Sequence, residues 1–245
     1  LQRAYDQIVH DVCLQNLPVV FCLDRAGLVG EDGATHQGLF DFAYLRHIPN
    51  MSVMAPRDAR ELECMLTLAL QHSGPVAIRY PRAQAEVMPA PKSRAGWGEG
   101  EVLKEGSHGM VLAIGSMVLP SLRAAWSLEE SGLDIGVTDV RFVKPLPKGL
   151  ILRLAQQQRR LITVEDHVLS GGLGSAVLEL VSDAGIAISV RRLGVKDEFI
   201  EHASRNQQLA MCKLDEASLK ADFYSYFSTS PVNKVELKVS DSCGN

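Results

Sequence analysis

The 245-residue sequence has no Cys-x-x-Cys pair, no clustered basic face and few aromatic residues, 6% in all. Each absence removes a class of protein. Its five cysteines, at positions 13, 22, 64, 212 and 243, are odd in number and irregular in spacing. That pattern suits reduced thiols in a cytosolic protein better than a disulfide framework or a zinc site. No run approaches the roughly 18 apolar residues that a membrane-spanning helix requires. The net charge of −4 argues against a nucleic-acid or anionic-membrane surface. There is no Gly-x-Ser-x-Gly elbow, no P-loop and no repeat with a 20–50-residue period. The chain begins Leu1-Gln2-Arg3-Ala4-Tyr5, without an initiator Met or a signal peptide, and reads as starting partway through a longer protein.

What is present is ordinary folded composition, 46% hydrophobic and 22% charged, with room for two domains. Ala4, Tyr5, Ile8, Val9, Val12 and Cys13 follow helical spacing. Leu17–Leu23 is almost wholly apolar and predicts a strand buried on both faces. Met51–Ala55 and Val76–Ile78 predict two further strands, and Asp58-Ala59-Arg60-Glu61 is a capping box opening a helix to about Gln71. Periodicity then fades through Pro89, Ala90, Pro91, Ser93, Gly96, Gly98 and Gly100, as in a linker. A second alternation predicts strands at 110–115, 135–140, 161–165 and 187–193, and helices near 118–131, 147–158, 173–183 and 215–227. The expected organisation is two consecutive α/β domains with mostly parallel sheets: 1–82, a linker 83–104, 105–228, and a tail 229–245.

Three segments could carry chemistry. Asp24–Gly38 follows a predicted strand, where open α/β sheets bind ligands, and holds four glycines, at 27, 30, 33 and 38. Arg25 offers a planar fork for phosphate or carboxylate, and His36 is of a residue type that can transfer protons under physiological conditions. Asp32, four residues before His36, could orient it or bind a substrate hydroxyl. The plain alternative is a long surface loop with incidental charges. Arg79-Tyr80-Pro81-Arg82 follows the next strand, and its two arginines could close a phosphate site with Arg25 or be a solvated strand end. Glu165-Asp166-His167 precedes Gly171-Gly172-Leu173-Gly174-Ser175, which could present a helix N-terminus to phosphate. It lacks a full Gly-x-Gly-x-x-Gly and a later acidic strand end, so turn chemistry is the better reading. The three adjacent side chains alternate and cannot all converge on a metal. His10, His47, His72, His108 and His202 stand alone and read as structural.

Asp24-Arg25-Ala26-Gly27-Leu28-Val29-Gly30, followed by Asp32-Gly33-x-Thr35-His36-Gln37-Gly38, resembles the signature of the 1-deoxy-D-xylulose-5-phosphate synthase family, thiamine-diphosphate relatives of transketolase. The resemblance continues through Leu1–Asn16, Ile48–Met51, Met54–Pro56, Arg79–Arg82, Arg141–Leu146, Thr163–Glu165 and Gly171–Ser175, covering about residues 1–215. It implies that 1–82 is part of a pyrimidine-binding domain and 105–228 a transketolase C-terminal-like domain. It implies condensation of pyruvate with D-glyceraldehyde 3-phosphate, loss of carbon dioxide and supply of isoprenoid, thiamine and pyridoxal phosphate synthesis. Matching positions imply Arg25 and Arg82 as ligands of the aldehyde's phosphate. His36 and Asp32 are implied as catalytic groups and Arg3 as a neighbour of the active site.

The same resemblance implies thiamine diphosphate and Mg2+ in the complete enzyme. Their principal ligands, a Gly-Asp-Gly…Asn-type motif and a catalytic glutamate, find no match here, so the chain alone is expected to be inactive. A homodimer is implied, in the cytoplasm or, for a plant or alga, the plastid stroma. Three alternatives stand beside it: the β-subunit of a 2-oxo-acid dehydrogenase E1, the C-terminal half of a split transketolase, and a non-catalytic assembly module. The Asp-Gly-x-Thr-His-Gln-Gly segment with Arg82 favours the synthase, because E1 enzymes need no sugar-phosphate site.

Overall fold

The computed structural model describes residues 1–84, 86, 88 and 96–228. A four-stranded sheet runs in the order β1-β3-β2-β7, with β1 Val20–Leu23, β2 Ser52–Met54, β3 Val76–Arg79 and β7 Phe142–Lys144. A five-stranded sheet follows the order β4-β6-β5-β8-β9, from β4 Glu101–Lys104, β5 Gly109–Ala113, β6 Ile135–Asp139, β8 Arg160–Val168 and β9 Ser189–Val195. All pairings are parallel except those of β7 and β4, each at a sheet edge. The helices are α1 Tyr5–Gln7 with a π-helical continuation Ile8–Cys13, α2 Asp41–Arg46, α3 Ala59–Gln71, α4 Val118–Glu129, α5 Lys148–Gln157, α6 Leu173–Asp183, α7 Arg205–Met211 and α8 Glu216–Phe227. None is long and apolar enough to cross a membrane.

Central strands are sealed as their composition dictates: Val76–Arg79 and Gly109–Ala113 are buried at every position. The expectation for 17–23 needs correction. The strand starts at Val20 and lies at a sheet edge, with Cys22 exposed, so its apolar run is only partly covered. The capping box is half realised. Asp58 Oδ1 accepts the Glu61 N–H at 2.8 Å, whereas Glu61 turns away to accept the Arg57 N–H at 2.7 Å and Arg141 Nε at 2.6 Å.

That detour belongs to a buried junction. Arg57 Nη1 donates to Glu101 at 2.7 Å and to Asp139 at 3.0 Å, and Arg141 also pairs with Glu101. Burial, then the neighbouring Glu61, pushes the Asp139 carboxyl well above its ordinary range. The junction ties α3 to the second sheet, and β7 returns from the 105–228 segment to pair with β2 of the first. Residues 101–104, expected as linker, form β4. Pro89, Ala90, Pro91 and Ser93 of that linker, and the tail 229–245, lie outside the described residues.

Candidate functional site

The segment after β1 is no surface loop. Ala26, Leu28 and Val29 are buried, and Leu28 and Leu39 pack in the core of the second sheet with Val111, Ala113 and Val164. The segment closes on itself where Gly27 and Gly38 exchange backbone hydrogen bonds at 2.9 and 3.0 Å. Gly27 has φ +71°, and a Cβ there would stand 2.1 Å from Asp166 Oδ2, so only glycine fits against that carboxylate. Two short 3-10 turns, Gly30–Asp32 and Ala34–His36, then aim the polar side chains outward.

At this surface Asp32 stands between two arginines. Arg25 Nε donates to Asp32 Oδ2 at 2.8 Å, and Arg82 Nη1 donates to both Asp32 oxygens at 3.0 Å. Arg25, at φ +59°, also donates to Asp24 at 2.5 Å. Hydrogen bonds from Arg25, then Arg82, hold the Asp32 carboxyl below its ordinary range, and Asp32 with Asp24 raises Arg25. Beside the cluster lies a cleft of about 790 Å³ lined by Arg3, Arg25, His36, Gln37, Asp41 and Tyr44 among others. The structure therefore joins Arg25, Asp32 and Arg82 directly, and places Arg3 and His36 along the same cleft. It does not set Asp32 on His36. The imidazole Nδ1 instead meets Thr35 Oγ1 at 2.9 Å.

Two cleft-lining groups escaped the sequence reading. Gln37 and Asp41 are 7% and 5% exposed, yet among the described residues Gln37 Nε2 and Asp41 Oδ1 have no hydrogen-bond partner. A buried polar atom left unpaired is costly to the fold. Burial pushes the Asp41 carboxyl up, against the opposing pull of Arg79.

Arg79 cannot close a phosphate site with Arg25. It is 2% exposed, donates to Asp166 Oδ1 at 2.6 Å and to the Gly38 carbonyl at 2.9 Å, and lies 3.1 Å from Asp41. Burial opposes its charge, but Asp166 and Asp41 outweigh that and raise its pKa. On the opposite face of β8, Glu165 and His167 sit 3.9 Å apart, as two-residue alternation requires. Glu165 accepts the N–H groups of Leu173 and Gly174 at 2.6 and 2.9 Å, so the start of α6 is already taken by a carboxyl group of its own chain. Burial lifts Glu165 to about 7 despite those bonds, and burial with the nearby Arg79 charge lowers His167 to about 3. His167 is thus a neutral imidazole, its Nδ1 2.7 Å from the Val168 carbonyl.

Among the described residues, no three His, Cys, Asp or Glu side chains converge as a metal site.

Comparison with known proteins identifies both segments of the chain. The transketolase pyrimidine-binding domain model matches residues 1–87, and the transketolase C-terminal domain model matches 98–219. The chain is 51% identical over 231 residues to 1-deoxy-D-xylulose-5-phosphate synthase 1 of Geobacter metallireducens, covering 90% of this chain and 36% of that protein. It is 48% identical over 239 residues to 1-deoxy-D-xylulose-5-phosphate synthase of Gloeobacter violaceus, covering 95% and 37%. The chain therefore spans little more than a third of the length of these relatives. The solved structure of a split-gene transketolase, an inactive β4 tetramer, superimposes with TM-score 0.85 at 32% identity, covering 92% of this chain and 72% of that one. Transketolase from Campylobacter jejuni shares the fold at TM-score 0.68 and 21% identity, covering 84% of this chain and 31% of that one. With its pyrimidine-binding and C-terminal domains in this order, the chain belongs to the transketolase family and is similar to the 1-deoxy-D-xylulose-5-phosphate synthases within it.

Proposed function

We propose that this chain supplies the substrate side of a 1-deoxy-D-xylulose-5-phosphate synthase, which joins pyruvate to D-glyceraldehyde 3-phosphate with loss of carbon dioxide. The observation that carries this is the Arg25–Asp32–Arg82 cluster beside the cleft that His36 lines. The phosphate of the aldehyde replaces the Asp32 carboxylate on the two guanidiniums, a charge-assisted exchange that fixes the aldehyde carbon by its far end. Asp32, freed, accepts a hydroxyl of the bound sugar. His36 Nε2 moves a proton to or from the oxygen that changes charge in the condensation. In the complete enzyme, bound thiamine diphosphate with Mg2+ would supply the carbanion chemistry, while this chain's residues bind and orient the aldehyde.

The 245-residue chain alone is proposed to be inactive, a reading supported by its likeness to a split-gene transketolase tetramer that is itself inactive. The same likeness favours a second reading, in which this chain works as one half of a split enzyme. Adding a separately made N-terminal half to the chain then restores turnover.

Titration with inorganic phosphate and with glyceraldehyde 3-phosphate tests the site. Arg25→Ala and Arg82→Ala are each expected to weaken binding about tenfold, a loss of roughly 1.4 kcal/mol. In the complete enzyme Arg25→Ala should chiefly raise KM for the aldehyde, and His36→Ala should lower kcat. Unchanged phosphate binding in both arginine variants overturns the assignment. Product formed by the purified chain with thiamine diphosphate and Mg2+ overturns the inactivity.

A further inference from the structure

The 24–38 segment is gripped from a distance by α7, an element with no share in the cleft. Gln208 is fully buried, and its Oε1 accepts the Gly30 N–H at 2.8 Å while Nε2 donates to the Gly30 carbonyl at 3.4 Å and to the Glu201 carbonyl at 2.9 Å. Arg205 Nε donates to the Leu28 carbonyl at 3.1 Å, and its Nη2 to Ser116 Oγ at 3.1 Å. Gly30 has φ +65°, and a Cβ on it would meet Arg205 N at 2.9 Å, so the segment lies directly against the first turn of α7. Gly30 also opens the 3-10 turn that ends on Asp32.

We infer that Gln208, with Arg205 in support, is a positioning residue for the phosphate-binding cluster: it fixes Gly30, Gly30 sets the turn, and the turn sets where Asp32 holds Arg25 and Arg82. This rests on the proposed phosphate site. It gives the C-terminal domain a part in substrate recognition without a contact to the substrate. A side-chain amide suits the task because it satisfies both the N–H and the C=O of one backbone residue in a site closed to water. An aliphatic side chain of similar size would leave both groups unpaired. A carboxylate would keep the Gly30 N–H acceptor and lose both donations from Nε2.

Amide hydrogen exchange and inorganic-phosphate titration on the 245-residue chain and its Gln208→Ala and Gln208→Glu variants form the test. Backbone exchange across 30–36 should quicken about tenfold in Gln208→Ala while β5 and β8 keep their protection. Phosphate affinity should fall severalfold, and Gln208→Glu should fall between the two on both readouts. In the complete enzyme the loss should appear in KM for the aldehyde and leave KM for pyruvate unchanged. Unchanged exchange at 30–36, or faster exchange with undiminished phosphate affinity, overturns the inference. Loss of protection throughout β5 and β8 in both variants also overturns it, because Gln208 would then serve the fold alone. If the wild-type chain binds no phosphate, the site assignment has failed, and the exchange measurement still decides whether Gln208 holds the turn.

Discussion

Arg79 and Arg82 are three residues apart on one strand end, and both meet aspartates, yet they do opposite work. Arg79 is sealed between Asp166 and Asp41 with its side chain 2% exposed, whereas the Arg82 side chain is 61% exposed and touches Asp32 at the surface. A buried guanidinium must be neutralised by fixed partners before the protein can fold around it. An exposed one gives up its carboxylate at little cost, because solvent screens the pair in both states. Burial, rather than residue type, therefore separates a strut from a cluster proposed to exchange its carboxylate for phosphate.

The strut should be the harder of the two to break. Replacing Arg79 with Met leaves Asp166 and Asp41 buried without their shared cation, and the expected loss is about 3–5 kcal/mol. In thermal unfolding this should lower Tm on the order of 10 °C. Arg82→Met should move Tm by no more than a degree or two. Comparable shifts in the two variants would erase the distinction.

A pH experiment probes the sealed side next. Glu165 rises from an ordinary 4.5 to about 7, so over that window the unfolded chain is ionised while the folded chain keeps its proton. Unfolding then releases a proton, and stability falls as pH rises from about 4.5 to about 7. His167 acts in the opposite sense. Its pKa drops from 6.5 to about 3, so the unfolded chain binds the extra proton and stability falls as pH falls through that range. The two slopes offset each other between about pH 4.5 and 6.5. Glu165→Gln removes one of them, and urea midpoints should then climb with pH in that interval. The gap from wild type should change by roughly 3 kcal/mol across the window. A constant gap would mean that Glu165 is ionised throughout.

How much of this could be read from the chain depended on the range of the forces. Helices α3, α4, α6 and α8 and strands β5, β6 and β8 lie close to where periodicity puts them, because recurring apolar residues mark the buried side of each, and β9 does so although Arg191 and Arg192 interrupt its faces. The three-residue β7 has no such face. It exists because β2 offers it an edge, a partner about 90 residues away in sequence. Helix α7 is short, but its capping box of Ser204 and Gln207 was a local signal that could have revealed it. The polar residues around the site were legible as types and illegible as partners. Arg25, Asp32 and Arg82 could be grouped by their place after two strands, whereas the sealing of Arg79 by Asp166, 87 residues on, needed the packing of β8 against the first sheet. Gln208 gave no signal, because nothing in a glutamine's own neighbourhood says that it will find Gly30.

The smallest effect is also the sharpest probe of the exposed cluster. Asp32 contacts both guanidiniums that are proposed to take the phosphate, so in the empty site it is their competitor as much as their organiser. Arg25 and Arg82 hold it ionised at neutral pH, and its side chain is only 23% exposed, while the arginines are 38% and 61% exposed. Asp32→Asn removes the negative charge and keeps the shape. The fold should be little changed, because solvent screens a surface pair. Inorganic phosphate should bind about threefold tighter, a gain of roughly 0.6 kcal/mol, because it no longer displaces a carboxylate. Turnover of the complete enzyme should fall, since the carboxylate proposed to accept the sugar hydroxyl is lost. At the sealed arginine the equivalent change, Asp166→Asn, should cost stability and gain no phosphate. Weaker phosphate binding in Asp32→Asn would show instead that Asp32 organises the two arginines more than it occupies them, and the exposed cluster would then be a strut as well.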